Sequence, residues 1–123
     1  MHELSIVMGI IKIVLAEAER ADAEVVEEIE LDIGRLSTVE MDSFEFAWRQ
    51  GVKNTILEGA KKNINRIGGM ARCLDCAFDF PLEQVFDPCP LCGQHLISII
   101  AGKELRVRSL VVRGERGGVS GEW

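Results

Sequence analysis

Residues 73–93 read Cys73-Leu-Asp-Cys76-Ala-Phe-Asp-Phe-Pro-Leu-Glu-Gln-Val-Phe-Asp-Pro-Cys89-Pro-Leu-Cys92-Gly93, and this stretch decides how the rest of the chain divides. Two CxxC pairs flank residues 77–88. A CxxC turn brings two sulfurs within reach of one ion, and two such turns facing each other complete a tetrahedron. Cys73, Cys76, Cys89 and Cys92 are therefore the expected ligands of one structural zinc ion. Four thiolates fill the coordination sphere, so no position is left for catalysis. Iron also accepts four thiolates, and four buried cysteines without an ion are a further reading. Nothing else in the chain suggests electron transfer, which favours zinc. Gly93 suits the tight turn after the second pair; Ala77 holds the equivalent place after the first and predicts a looser turn. Phe78, Phe80, Leu82, Val85 and Phe86 are too few for an independent core. Metal binding is expected to supply folding energy on the order of 10 kcal/mol.

Outward from this module the periodicities change. Leu4, Val7, Met8, Ile11, Leu15 and Ala18 recur at helical spacing, and Ile6, Ile10 and Ile13 widen the stripe. They predict a helix buried on most sides and ending near residues 21–23. From Val25 to Ile33 the period is two: Ile29, Leu31 and Ile33 face a core, with Glu28, Glu30 and Asp32 on the wet side. Asp42 with Glu45 fits a capping box, as does Ser37 with Glu40, so a second helix starts in this region. Its apolar face is Phe44, Ala47, Trp48 and Val52, and Gly51 weakens its end. Residues 60–67 form a weaker strand. Residues 104–112 alternate again, and pairing with 25–33 would set Arg106 and Arg108 against Glu28, Glu30 and Asp32.

The expected fold class is α+β. Two helices pack on a small sheet of about three strands, and a zinc-ribbon-like module is inserted before the last strand. The expected division is an α/β domain over residues 1–69 plus 103–113, a zinc module over 70–102, and a flexible tail over 114–123.

Composition narrows the function. Lys plus Arg total 14 against 20 Asp plus Glu, a net charge of −6. Such a chain does not attract phosphate backbones from a distance, so nucleic acid is not an expected partner. The apolar run from Leu4 to Leu15 is too short for a bilayer and is interrupted by Lys12. No basic leader or cleavage site accompanies it. A cytoplasmic protein without a membrane partner is expected, and reduced thiols fit that compartment. No GxxxxGK[ST] loop, GxSxG elbow, HExxH helix or dinucleotide fingerprint is present, so no enzyme activity is expected.

The amino terminus offers different donors. The Met1 amine, the backbone amides of His2 and Glu3 and the His2 imidazole can place four nitrogens around one ion in a plane, which favours Ni(II) or Cu(II) over Zn(II). A solvated His2 accounts for the same residues. Met1 is expected to be retained behind so large a second residue. His95, the other histidine, follows the second cysteine pair and is expected in a surface loop, with alternative metal ligation as the functional reading. Glu40 neighbours the amino-terminal donors or serves as a helix-start carboxylate.

The start Met1-His2-Glu3-Leu4-Ser5, the segment Ile33-Gly34-Arg35-Leu36-Ser37-Thr38-Val39-Glu40, the Glu58-Gly59-Ala60 step and the paired CxxC motifs together resemble the HypA/HybF hydrogenase-maturation nickel chaperones, over residues 1 to about 112. The resemblance implies a nickel site built on His2, with the Met1 amine and the Glu3 amide as helpers, and zinc on the four cysteines. It implies delivery of Ni(II) to the [NiFe]-hydrogenase large-subunit precursor together with a HypB-like maturation GTPase, and in some members service to urease maturation proteins. This chain departs from the family pattern at Ala77, in the basic run Lys61-Lys62, and in keeping only His95 beside the cysteine pairs. A reading of another class is a zinc-ribbon adaptor that mediates protein–protein interaction without nickel transfer. A small iron electron carrier is a third.

Overall fold

The computed structural model describes residues 2–114 and 119–121. The element order is α1 (His2–Arg20), β1 (Ala23–Gly34), α2 (Met41–Gly51), β2 (Lys61–Ile67), β3 (Met70–Cys73), β4 (Asp79–Pro81), β5 (Ile97–Ala101), β6 (Leu105–Gly114) and β7 (Val119–Gly121). The strands form two sheets, one ordered β2-β1-β6-β7 and the other β4-β3-β5. The fold is α+β, two helices with small sheets and a ribbon-like cysteine module. Strands β1 and β6 are neighbours, the pairing considered for residues 25–33 and 104–112. The chain separates into two units, one of residues 1–31, 39–64 and 106–123, the other of residues 32–38 and 65–105.

In the first unit α1 and α2 pack on each other. Val7, Ile10, Ile11, Val14 and Ala18 of α1 are buried, as are Phe44, Ala47 and Trp48 of α2. The Phe44 and Trp48 rings stack at a centroid distance of 6.1 Å. Helix α1 is buried on one stripe, not on most sides: Leu4, Met8, Ile13 and Leu15 are exposed. Two short helices and one small sheet provide too little surface to cover an all-apolar cylinder. Gly51 also has a packing role beyond weakening its helix. A Cβ there would lie 2.8 Å from Ile11 Cδ1 and 3.0 Å from Val7 Cγ1, so its lack of a side chain lets α1 seat against α2.

The start of α2 differs from both expected capping boxes. Glu40 is the N-cap, and its carboxylate accepts from the N–H groups of Asp42 and Ser43 at 3.2 and 2.7 Å. Glutamate is not among the preferred caps, which is why residue preference points to Asp42 or Ser37 instead. Strand β7 pairs antiparallel with β6, setting Val112 against Val119 and Leu110 against Gly121. These three residues fall within the stretch expected as a flexible tail; residues 115–118 and 122–123 lie outside those described.

In the second unit, β3 pairs antiparallel with β4 and with β5. Ala71, Cys73, Phe80, Leu82 and Cys89 form its core, with Leu36, Ile97 and Ile99 packed against them. Arg72 and Asp79 face each other across β3 and β4 and make two hydrogen bonds, at 2.6 and 2.9 Å.

Asp32 is fully buried instead of lying on a wet face. Asn65 Nδ2 donates to its Oδ1 at 3.1 Å. A strict period of two assigns Asp32 by parity alone and takes no account of an amide supplied by β2. Removing one donor from a buried carboxylate costs about 1–3 kcal/mol. Asn65→Ala is therefore expected to lower the unfolding free energy by that amount, read as a lower urea midpoint, with Asn63→Ala near neutral. Equal midpoints for the two variants would sink this role.

Candidate metal centres

The cysteines sit on two turns of matching construction. Cys73 N–H donates to Phe78 O at 2.9 Å, and Ala77 N–H returns to Cys73 O at 2.9 Å. Cys89 N–H donates to Gln94 O at 2.9 Å, and Gly93 N–H returns to Cys89 O at 2.8 Å. Ala77 and Gly93 both adopt positive φ, 61° and 76°. The first turn is thus as tight as the second, not looser. Ala77 accepts a left-handed conformation that costs a residue with a Cβ roughly 1 kcal/mol, held there by the same pair of backbone hydrogen bonds.

The four sulfurs converge. All lie within 4.8 Å of one another. Cys73 Sγ is 3.5 Å from Cys92 Sγ, and Cys76 Sγ is 3.7 Å from Cys89 Sγ. A tetrahedron with metal–sulfur bonds of about 2.3 Å has edges of about 3.8 Å, so the cluster fits one tetrahedral ion. Cys73 and Cys89 are buried, Cys76 and Cys92 exposed. Their acidities differ. Burial pushes the Cys89 thiol up, but N–H groups of Cys92 and Leu91 and the thiols of Cys76 and Cys92 outweigh it and bring it down to about 7. At Cys92 the Gln94 N–H pulls downward, yet burial and the three neighbouring thiols carry it up to about 12. Cys76 is also raised: the Phe78 N–H lowers it, while burial and the thiols of Cys73 and Cys89 prevail. One easily formed thiolate among harder ones is what a crowded sulfur cluster gives before a cation offsets the repulsion.

At the other end of the chain, His2 is exposed and opens α1. Met1 lies outside the described residues. Glu40 N–H donates to Glu3 Oε2 at 3.0 Å. That bond, then the N–H of Glu3 itself and the nearby His2 ring, hold the Glu3 carboxyl below the usual carboxylate range. The Glu40 carboxyl is also lowered, by the Ser43 N–H first, then the Ser43 side chain and the Asp42 N–H. Both places offered for Glu40 by the sequence are occupied, by different parts of the residue. Glu40 stands next to the amino-terminal donors through its backbone, while its carboxylate is engaged at the cap of α2. His95 is exposed, in the loop between Cys92 and β5.

Residues 1–112 match the family model described as hydrogenase/urease nickel incorporation, metallochaperone, hypA. A protein of Parabacteroides distasonis named hydrogenase maturation factor HypA is 46% identical over 115 residues, covering 94% of this chain and 100% of that one. One of Geobacter sulfurreducens with the same name is 41% identical over 113 residues, covering 91% and 99%. Among solved structures, a solution structure of the Ni metallochaperone HypA from Helicobacter pylori shares the fold with a TM-score of 0.69 at 23% identity, covering 92% of this chain and 98% of that one. A solution structure titled HypA protein has a TM-score of 0.70 at 26% identity, covering 94% and 98%.

Proposed function

The chain belongs to the HypA family of hydrogenase/urease nickel-incorporation metallochaperones, and from that premise we propose that it binds Ni(II) at its amino terminus and delivers it for [NiFe]-hydrogenase maturation. The His2 imidazole is the principal ligand, with the Met1 amine and the Glu3 amide as helpers. The observation that carries this reading is the place of His2 and Glu3 in the first turn of α1. N–H groups there have no intrahelical acceptor, so recruiting their nitrogens to a metal breaks no turn of helix. The positive end of the helix dipole also favours nitrogen that has given up its proton. The Glu3–Glu40 hydrogen bond ties this turn to the start of α2.

In the same reading Cys73, Cys76, Cys89 and Cys92 hold a resident zinc ion, whose chemistry is to cross-link two turns. The recipient is the hydrogenase large-subunit precursor, and a HypB-like GTPase is the working partner. A cargo site on a helix terminus suits transfer, because local opening there costs little free energy.

Nickel titration followed by absorbance and calorimetry tests the site. The native chain is expected to bind one Ni(II), more weakly as pH falls, because amine, imidazole and amide donors all compete with protons. His2→Ala and a form extended before Met1 are each expected to lose that binding. Equal nickel binding by all three forms would falsify the amino-terminal site. Partner binding that survives loss of His2 but not of Cys89, with no nickel bound by the native chain, would establish a zinc-ribbon adaptor instead.

A further inference from the structure

Strand β5 lies at the edge of its sheet, with β3 on one side only. Edge strands invite pairing with another chain, and proteins guard them with charge, proline or shortness. The opposite edge, β4, has three residues and carries Asp79 and Pro81. In the other sheet the edge strand β2 carries Lys61, Lys62 and Arg66. By contrast, β5 reads Ile97-Ser-Ile-Ile-Ala101, with neither charge nor proline. Its register shifts against β3 so that Ile100 is an extra residue, and this irregularity falls near its end.

The bonds to β3 fix which groups face outward. Leu74 N–H donates to Leu96 O at 3.0 Å, and Arg72 stands opposite Ser98. Antiparallel pairs alternate between bonded and unbonded, so the N–H and C=O groups of Ile97 and Ile99 point away from β3. Among the described residues no backbone group bonds to them from that side. Their side chains pack on the module core. Exposed apolar side chains flank them: Leu96 is 62% exposed, Ile100 47%, and Leu74, beside Leu96, 57%. The charge of Arg72, opposite Ser98, is offset by Asp79.

We propose that β5 pairs antiparallel with β5 of a second copy of this chain, about a two-fold axis at Ser98. The register that sets Ile97 against Ile99 of the second copy is repeated by the symmetry, and it satisfies the outward N–H and C=O of both residues in both chains. The same register sets exposed Leu96 against exposed Ile100 of the second copy, at an unbonded position where side chains come closest. The small Ser98 meets itself on the axis. Each chain has a net charge of −6, but the uncharged strand brings none of it to the contact. The area sets the strength. Two five-residue strands bury well under the ~800 Å² per partner of a stable interface. The dimer is therefore weak and reversible, with a dissociation constant on the order of 0.1 mM. The inference does not rest on the nickel reading, and a failed nickel titration leaves it standing.

The test uses the full-length, zinc-loaded chain, followed by sedimentation equilibrium from about 10 μM to about 1 mM. A monomer–dimer equilibrium is expected. Leu96→Lys and Ile100→Glu are each expected to weaken it about tenfold, since each sets a charge against an apolar side chain. Combined in one chain, they are expected to restore it to within about threefold of native, because the new charges face each other across the two-fold. Within one strand the two positions lie about 13 Å apart and cannot pair. Damage to the fold would accumulate in the double variant, so recovery marks the pairing. Should either single variant lose zinc, Ser98→Cys replaces it. Cα atoms of an unbonded antiparallel pair stand about 4.5 Å apart, within disulfide reach. Oxidised glutathione is then expected to give a covalent dimer from Ser98→Cys and none from Lys12→Cys. A native chain still monomeric at about 1 mM overturns the proposal. So does a dimer unmoved by the single substitutions, a double variant no better than the singles, or equal cross-linking of the two cysteine variants. If a threonine–valine peptide binds a chain that stays monomeric, and Leu96→Lys abolishes that binding, the edge takes a partner's strand and the second copy is overturned.

Discussion

Cys89→Ser is expected to release the ion from the four-cysteine site and unfold residues 65–105, while α1 and α2 keep their helical signal. The cluster at the cysteine module consists of Ala71, Cys73, Phe80, Leu82 and Cys89, so two of its five buried members are proposed metal ligands. Apparent zinc-binding free energies at comparable sites run to about 10–16 kcal/mol. Whole small domains are stable by about 5–15 kcal/mol. An ion bound that strongly accounts for most of the stability of so small a core, and a site reduced to three thiolates cannot hold it as tightly. Serine also places a hydroxyl at a position 1% exposed, beside apolar neighbours,. The first unit keeps its own core, with Val7, Val14, Ile29, Phe44, Leu57 and Leu110 almost inaccessible. Hydrogen exchange read by mass spectrometry separates the two outcomes. Peptides spanning 70–101 should lose protection and those spanning 2–20 and 41–51 should keep it, with a chelator on the native chain reproducing the pattern. Retained zinc in the serine variant, or a chelated protein still protected over 70–101, would sink the structural role of the ion.

What the sequence made legible follows from how local each signal is. The CxxC spacing constrains geometry within four residues, and the observed sulfurs converge accordingly. The period of two in β1 and β6 was legible only in part: Ile29, Leu31 and Ile33 are buried as expected, but residues 31–34 are all buried, and in β6 burial passes from Val107 to Leu110 and Val112 while Leu105 is exposed. Strand β5 escaped notice because Ile100 breaks the alternation: it is apolar and 47% exposed, while Ile97 and Ile99 pack on the module core. Asp32 depended on a partner supplied from elsewhere in the chain, Asn65, and no window around it contains that information. Glu40 was legible as a helix-start carboxylate because the N–H groups it caps, those of Asp42 and Ser43, are local. The exposed side of α1 was misread for the opposite reason: its periodicity reports how apolar the helix is, not how much neighbouring surface exists to cover it.

Gly34→Ala is expected to destabilise the second unit by about 2–6 kcal/mol. Gly34 ends β1, where the chain turns beneath the 102–104 segment. Gly34 N–H donates to Glu104 O at 2.7 Å and Leu36 N–H to Gly102 O at 2.8 Å. The turn is closed by Ser37, whose N–H and Oγ both reach Gly34 O, at 3.1 and 2.6 Å. A Cβ on residue 34 would sit 1.9 Å from Gly102 O, 2.1 Å from Gly102 C and 2.7 Å from Lys103 N. All three are backbone atoms, so no side chain can swing aside. Gly102 cannot retreat at low cost: its φ is 111°, and its own position already faces Gly69 Cα and the Leu36 side chain. Relief requires the two segments to part. That costs about 1–3 kcal/mol in displaced packing and about 0.5–1.5 kcal/mol for each of the two hydrogen bonds between them. Gly9→Ala is the matched control, with nothing within 4 Å of the added carbon. In the interior of α1 it should stabilise by about 0.5–1 kcal/mol. Urea unfolding of the metal-loaded protein reads both. A Gly34→Ala midpoint at or above that of the native chain would show that the 34–37 turn and the 102–104 segment are not in close contact, and with it would fall the account of why Gly34 ends β1.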